Sequence, residues 1–210
     1  MKSPKLILDD DRIRVYQKQL GQWDNLNHLI VCRKTKKACI VDPFDGSFWE
    51  DFCQANNFIL EQIWLTHSHW DHCKGVEALV NSTVFTLEVR CHQLEQQRGY
   101  NAEYIQWWSH DEFSSQTCAV GGLEFSIHCT PGHTPACMAH MVGDAVFVGD
   151  TLFMPDGGTA RADFPGGDAR ILYKSIKKIL SMPDETRLFV CHDYMPVSYT
   201  HLTLPTKRIV

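Results

Sequence analysis

The sequence predicts one mixed α/β domain with strands and helices interleaved along the chain. Short apolar runs bounded by turn residues recur through both halves. Segments with helical spacing of apolar residues lie between several of them. The 210 residues suffice for one sizeable core and are too few for two comfortable domains.

In chain order, His28 to Cys32 and Ala38 to Val41 are apolar runs flanking Lys34-Thr35-Lys36-Lys37, which predicts a hairpin. The turn residues of Asp42-Pro43-Phe44-Asp45-Gly46 end it. A helix follows from about Ser47 to Ala55, with Phe48 and Phe52 four apart and Asn56-Asn57 as its stop. Ile63 to Leu65 reads as a short strand, Gly75 to Val80 as helix and Thr83 to Leu87 as a further strand. Residues 88–117 are polar and irregular, with Gln-rich helical stretches, and no assignment is made for them. Their pair Trp107-Trp108 reads as buried packing before it reads as a substrate wall or a partner surface.

In the second half, Leu123 to His128 alternates like a strand and Ala145 to Val148 is an apolar strand. Ala169 to Leu180 carries apolar residues at 171, 172, 176, 179 and 180, one face of a helix, with Asp168 as N-cap and Pro183 beyond its end. Leu188 to Val190 is the last strand.

Composition removes several function classes. Hydrophobic residues make up 44% and charged residues 21%, an ordinary globular balance. A net charge of −5 and the lack of a basic stripe argue against nucleic acid as partner, nuclease chemistry included. No apolar run approaches the roughly 18 residues of a membrane span, and the N-terminus lacks the apolar stretch of a secretion signal. The expected location is therefore cytoplasmic, away from membranes. Nine cysteines occur, at 32, 39, 53, 73, 91, 118, 129, 137 and 191, without a CxxC pair. They read as small buried hydrophobes in a reducing compartment rather than as a disulfide framework or a structural zinc site.

The chemistry lies in the histidines and the aspartates near them. Four of the predicted strands each run into a loop holding a metal-ligand side chain: the run His67-Ser68-His69-Trp70-Asp71-His72, then His133, Asp150 and His192. A sheet delivering ligands from its strand ends can converge them on one point. Imidazole and carboxylate suit divalent zinc or iron. His67 and His69, two apart in extended chain, share one side, whereas Asp71 and His72 follow a turn and point to a neighbouring position. Two adjacent metal positions are thus expected, one or both occupied. Pro131 and Gly132 shape the loop of His133, and Gly149 lets Asp150 face the same centre. The remaining histidines, 28, 92, 110, 128, 140 and 201, read as packed or surface residues. Asp42 is either a turn-forming Asp-Pro or a carboxylate behind the ligands.

These residues also carry a resemblance. His67-Ser-His69-Trp-Asp71-His72, Thr130-Pro-Gly-His133-Thr, Gly149-Asp150-Thr and Cys191-His192-Asp193-Tyr194 resemble, in order, the motif series of the metallo-β-lactamase superfamily. The resemblance runs from about residue 12 to 195. It implies a four-layer αββα sandwich with metal at one edge of two sheets. In its binuclear members the matching residues divide so that His67, His69 and His133 hold one metal. Asp71, His72 and His192 hold the other, and Asp150 bridges.

Two branches compete. One is similar to glyoxalase II, a zinc-dependent hydrolase of glutathione thioesters with one or two zinc ions. The other is similar to persulfide dioxygenases, which oxidise glutathione persulfide to sulfite with O₂ and one Fe(II) per chain. There the matching iron ligands are His67, His133 and Asp150, with His69, Asp71, His72 and His192 supporting from behind. The element Gly158-Thr-Ala-Arg161-Ala-Asp163-Phe164, with Cys191 where glyoxalase II usually has glycine, resembles the second branch. It implies a small-molecule, thiol-derived substrate, with Arg161 as clamp for a glutathione carboxylate and Tyr194 near the thiol. Asp71, Arg161 and Tyr194 are the residues expected to take part in catalysis. A homodimer is compatible with all of this.

The expected domain is residues 1–197, truncated at its C-terminus. From about residue 198 the chain loses helical period and matching turn chemistry, and Ser198 to Val210 resembles a translated sequencing adapter. That stretch is expected to be a non-native tail.

Overall fold

The computed structural model describes residues 3–109, 114–155, 157–194 and 208–209. Two sheets face each other. The first runs in order β1 (Lys5–Asp9), β2 (Ile13–Leu20), β3 (Asn25–Cys32), β4 (Lys37–Val41), β5 (Ile59–Trp64), β6 (Glu88–His92) and β7 (Ile105–Trp108). The second runs in order β13 (Arg208–Ile209), β12 (Arg187–Phe189), β11 (Ala145–Phe147), β10 (Met138–Val142), β9 (Leu123–Cys129) and β8 (Ser115–Val120). The helices are α1 (Gly46–Ala55), α2 (Trp70–Cys73), α3 (Val76–Val80), α4 (Leu94–Gln97) and α5 (Ala169–Leu180). None among the described residues is long and apolar enough to cross a membrane.

The period of two in the strands creates the layers. In β3 every residue is buried, because its two faces meet different partners. Ile30 and Cys32 face the second sheet with Val15, Trp64, Phe125 and Phe147. Leu29 and Val31 face outward, onto Trp49 and Cys53 of α1 and Val76 and Leu79 of α3. The outer face of the second sheet, with Val146 and Leu188, packs against Ile179 of α5. Three apolar layers between four structural layers make the αββα sandwich.

The β3–β4 hairpin, α1 and α5 stand where the sequence puts them, α5 with Asp168 accepting from the N–H groups of Arg170 and Ile171 at 2.7 and 3.0 Å. The strand expected at Thr83 to Leu87 forms later, as β6. Ser82 Oγ accepts the Val84 N–H at 3.1 Å and donates to Glu50 at 2.7 Å. This local turn holds 83–84 out of the sheet, leaving Val84 exposed. The unassigned stretch supplies β6, α4 and β7, and Trp107 and Trp108 are packing residues, Trp108 only 2% exposed. His110, His201 and most of the expected 198–210 tail lie outside the described residues; within it, Arg208–Ile209 pairs in parallel with β12.

All nine cysteines are free, seven of them buried. His28 and His140 are buried as packing residues. His28 exchanges a hydrogen bond with Gln17 at 3.0 Å and lies edge-on to Phe147 and Phe189. Burial pushes its pKa down to about 3.

Candidate metal centre

Four loops meet at one edge of the two sheets. The chain leaves β5 and reaches His67 through Leu65 and Thr66; His69 precedes the single turn of α2, which carries Asp71 and His72. His133 sits in the β9–β10 loop, closed by Thr130 N–H to Cys137 O at 2.8 Å. Asp150 lies in the 3-10 turn Gly149–Thr151 after β11. Cys191 and His192 follow β12, where His192 bridges to Asn25 and the Leu26 N–H donates to Cys191 O at 2.7 Å. Two glycines make this convergence possible. Gly132 has φ +131° and a side chain there would meet the backbone of Leu172 at 2.2 Å; Gly149 has φ +52° and would meet Thr66 at 2.6 Å.

The ligand atoms form two groups sharing Asp150. In the first, His67 Nε2 and His133 Nε2 lie 2.9 and 3.0 Å from His69 Nδ1. Asp150 Oδ2 is 3.3 Å from His133 Nε2 and 3.9 Å from His67 Nε2. In the second, Asp150 Oδ1 lies 3.3 Å from His72 Nε2 and 3.5 Å from His192 Nε2. Those two nitrogens are 3.3 Å apart, and Asp71 Oδ2 is 3.4 Å from each. A tetrahedral ion with bonds near 2.0–2.1 Å has ligand-to-ligand edges of about 3.4 Å. His72 Nε2 and His192 Nε2 have this spacing from each other, from Asp71 and from Asp150, so the residues fit a metal, with one carboxylate oxygen turned to each group.

Hydrogen bonds on the far side aim the rings. His72 Nδ1 donates to Asp42 Oδ2 at 2.9 Å, His133 Nδ1 to Arg161 O at 2.7 Å and His192 Nδ1 to Trp23 O at 2.8 Å. His67 Nδ1 meets Thr66 Oγ1 at 3.1 Å. Each leaves Nε2 turned inward, as metal-binding imidazoles require. Asp42 is therefore a carboxylate behind the ligands. It also accepts from the N–H and hydroxyl of Thr66 at 2.7 and 2.6 Å.

His69 is held differently. Its Nε2 faces Arg98 Nη2 at 3.3 Å, and a guanidinium can only donate. His69 Nε2 is then an acceptor, and the neutral ring carries its proton on Nδ1. Burial pushes the His69 pKa down to about 4, with His133, His72 and Arg98 acting in the same direction. Arg98 is anchored by Glu95, fully buried, which also accepts from Ser68 N–H and Oγ.

The field of the cluster favours added positive charge. Burial opposes ionisation of Asp150, yet His72, His67 and His192 hold its pKa well below the usual carboxylate range. Burial likewise opposes a proton on His72, and the Asp150 and Asp42 carboxylates outweigh it. Asp71, despite burial, is brought to about 2 by His192, His72 and Asn25.

The centre opens into a cavity of about 750 Å³ lined by His69, Asp71, His133, Asp150 and His192, with Trp23, Trp70, Phe153, Phe164, Arg161 and Tyr194 around them. Phe164 packs on the rings of His69 and His133 at 4.9 and 5.4 Å. Arg161 is exposed at the rim, paired with Asp163 through Nε and Nη2 at 2.7 and 2.6 Å. Tyr194 stacks on His192 at 4.9 Å.

All the residues singled out in the sequence line this cavity or stand directly behind it. Sequence reading missed Asn25, which donates to Asp71 Oδ2 at 2.8 Å, and the Glu95–Arg98 pair. It treated Cys191 only as a branch marker, whereas its Sγ lies 2.7 Å from Asp150 Oδ1. Asn25 carries no local signal, and Glu95 and Arg98 fall in the stretch whose period is irregular.

Residues 28–192 match the family described as the Metallo-beta-lactamase superfamily. The Beta-lactamase hydrolase-like protein of Xylella fastidiosa (strain 9a5c) is 37% identical over 194 residues, covering 82% of this chain and 45% of that protein. The chain thus spans less than half that relative's length. A Hydroxyacylglutathione hydrolase of Shewanella halifaxensis is 31% identical, over 81% of this chain and 62% of that one. Among solved structures, ETHE1 from Myxococcus xanthus is 28% identical with a TM-score of 0.71, over 86% of this chain and 76% of that one. TTHA1623, solved in a di-iron-bound form, is 28% identical with a TM-score of 0.68, over 85% and 92%.

Proposed function

Because this chain belongs to the metallo-β-lactamase superfamily, whose members are metal-dependent enzymes, we propose that it is a persulfide dioxygenase. It would convert glutathione persulfide, O₂ and water to glutathione, sulfite and two protons, using one Fe(II) per chain. The observation that carries this reading is the Arg98–His69 contact at 3.3 Å. With Nε2 accepting from Arg98, His69 turns an N–H, not a lone pair, toward His67 and His133. The lone pairs left in the first group belong to His67, His133 and Asp150. Two histidines and one carboxylate are the ligand set of non-haem iron oxygenases. The similarity to a protein solved in a di-iron-bound form supports iron as the metal; one ion per chain rests on the ligand set of the first group.

Iron held there supplies binding of O₂ and electron transfer; the protein supplies position. Phe164 covers the His69 and His133 rings and excludes water from that side. Arg161, at the rim, exchanges its exposed partner Asp163 for a glutathione carboxylate, a charge-assisted pair of the same geometry. Tyr194, stacked on His192, stands near the sulfur end of the substrate, and Asp71, fixed by Asn25, is an ionised carboxylate lining the same cavity. The proposed setting is cytoplasmic.

A zinc-dependent hydroxyacylglutathione hydrolase is the second reading. Its support is the complete second group, with the oxygens of Asp150 divided between both, and the similarity to the Shewanella halifaxensis protein. Metal analysis of anaerobically purified protein, with O₂ uptake on glutathione persulfide, separates the two. The dioxygenase requires iron at about one per chain and O₂ consumption. Thioester cleavage by a zinc protein that takes up no O₂ overturns it.

A further inference from the structure

We propose that Trp23 and Trp70 form an apolar subsite beside the metal centre, which takes an alkyl or aryl group carried on the sulfur of a thiol-derived substrate. The two indoles are 44% and 50% exposed, and both line the cavity at the centre. Trp49, Trp64 and Trp108, by contrast, are buried in the core. Two large apolar side chains left open together in the wall of a cavity mark a place where a ligand completes the packing. Glutathione is polar along its length and carries no group suited to two indoles. The subsite therefore widens the range of substrates beyond glutathione persulfide, to sulfur compounds with an apolar substituent.

The pair is braced in place. The two rings meet edge to face at 5.4 Å. Phe44 meets Trp70 edge-on at 5.7 Å, and Lys74 Nζ lies 4.2 and 5.1 Å from the ring centroids of Phe44 and Trp70. The Phe44 N–H donates to Asn27 Oδ1 at 2.8 Å. Gly21, with φ +81°, lets the β2–β3 turn close on the Phe44 ring, which a side chain there would meet at 2.6 Å. A wall held this way is preformed, so a ligand pays little to order it. Its position fits a substrate that spans the centre. Arg161 and Phe164 stand beside the first group, through the His133 hydrogen bond to Arg161 O and the packing of Phe164 on His69 and His133. Trp23 stands beside the second, its carbonyl accepting from His192 Nδ1 at 2.8 Å. A substrate whose carboxylate pairs with Arg161 thus brings its sulfur substituent toward the indoles, an orientation that rests on the proposed role of Arg161.

The experiment is calorimetric titration of the purified, metal-containing protein with two pairs of inert thioethers. One pair is S-methylglutathione and S-hexylglutathione; the other, methylthioacetate and hexylthioacetate, lacks the glutathione. Wild type should bind the hexyl member of each pair about 30-fold more tightly, about two-fold for each half-buried methylene. Trp70→Ala and Trp23→Ala should each reduce that ratio to below about 5-fold, and Trp70→Phe should keep most of it. A ratio taken within one variant cancels any loss of fold or metal common to both ligands. Trp23, on a turn without metal ligands, is the second site should Trp70→Ala disturb α2; far-UV circular dichroism checks folding. Hexyl compounds that bind no more tightly than methyl ones in the wild type, or an undiminished ratio in either folded alanine variant, overturn the proposal. A preference confined to the thioacetates supports the subsite and overturns glutathione as the carrier. None of these ligands is a persulfide or a thioester, so this inference and the dioxygenase reading fail separately.

Discussion

Asp42 Oδ2 accepts the Nδ1 proton of His72 at 2.9 Å while Oδ1 accepts the Thr66 N–H at 2.7 Å. The carboxylate thereby fixes which nitrogen of His72 faces the metal. Asn is suited to the left-handed conformation of this residue, φ +49°. In Asp42→Asn the Thr66 N–H keeps the amide oxygen, so the amide NH₂ must face His72 Nδ1. That nitrogen becomes the acceptor, and the proton moves to Nε2. With both positions loaded by added zinc, metal affinity at the His72 position should fall about 10- to 100-fold, with the His67–His133 position unaffected. Chelator competition followed by metal counting measures this; equal loss from both positions would refute the assignment.

Gly132 tests how the fold aims His133. A methyl group there meets the backbone of α5 at 2.2 Å, and its φ of +131° is unsuited to alanine. Gly132→Ala should cost about 2–4 kcal/mol, and metal content should fall with it. Urea midpoints and metal analysis on the same preparations are the check, and an unchanged midpoint would contradict the packing described.

His28 should contribute to acid lability. Its folded pKa of about 3 lies below the 6.5 of the unfolded chain. The unfolded state therefore binds the extra proton between these values, and stability is lost as pH falls below 6.5, by up to about 1.4 kcal/mol per unit. His28→Asn should be less stable at pH 7 yet flatter between pH 6.5 and 4. Unfolding free energies of chelator-treated proteins across that range decide the matter; parallel curves would mean that His28 does not titrate there.

Arg161 should act on substrate and not on metal. Arg161→Ala is expected to raise KM about 10-fold, the loss of one charge-assisted pair, with kcat changed little. Metal content should stay at the wild-type level, since His133 uses the Arg161 carbonyl and not its guanidinium. Metal loss in this variant would mean that the loop, not the side chain, was disturbed.

The metal-binding character of the chain was legible in His67, His69, Asp71, His72, His133, Asp150 and His192, because each stands in a local pattern: a strand, then a turn, then a ligand. Strand alternation likewise located the β3–β4 hairpin, and capping chemistry located α5. Local pattern failed at Thr83 to Leu87, where a β-prone run is held as a turn by Ser82.

Tertiary structure alone decided the division of labour. Asn25 reaches Asp71 across 46 residues, Cys191 reaches Asp150 across 41, and His192 meets His72 across 120. Sheet order and the face-to-face packing of the two sheets set these meetings. Periodicity records which face of its own element a residue occupies; it holds no record of which distant residue that face will meet. Thus the ligands could be named from their neighbours in the chain. Only the folded edge turns one oxygen of Asp150 toward each group, places Arg98 against His69 and brings the Cys191 thiol against Asp150.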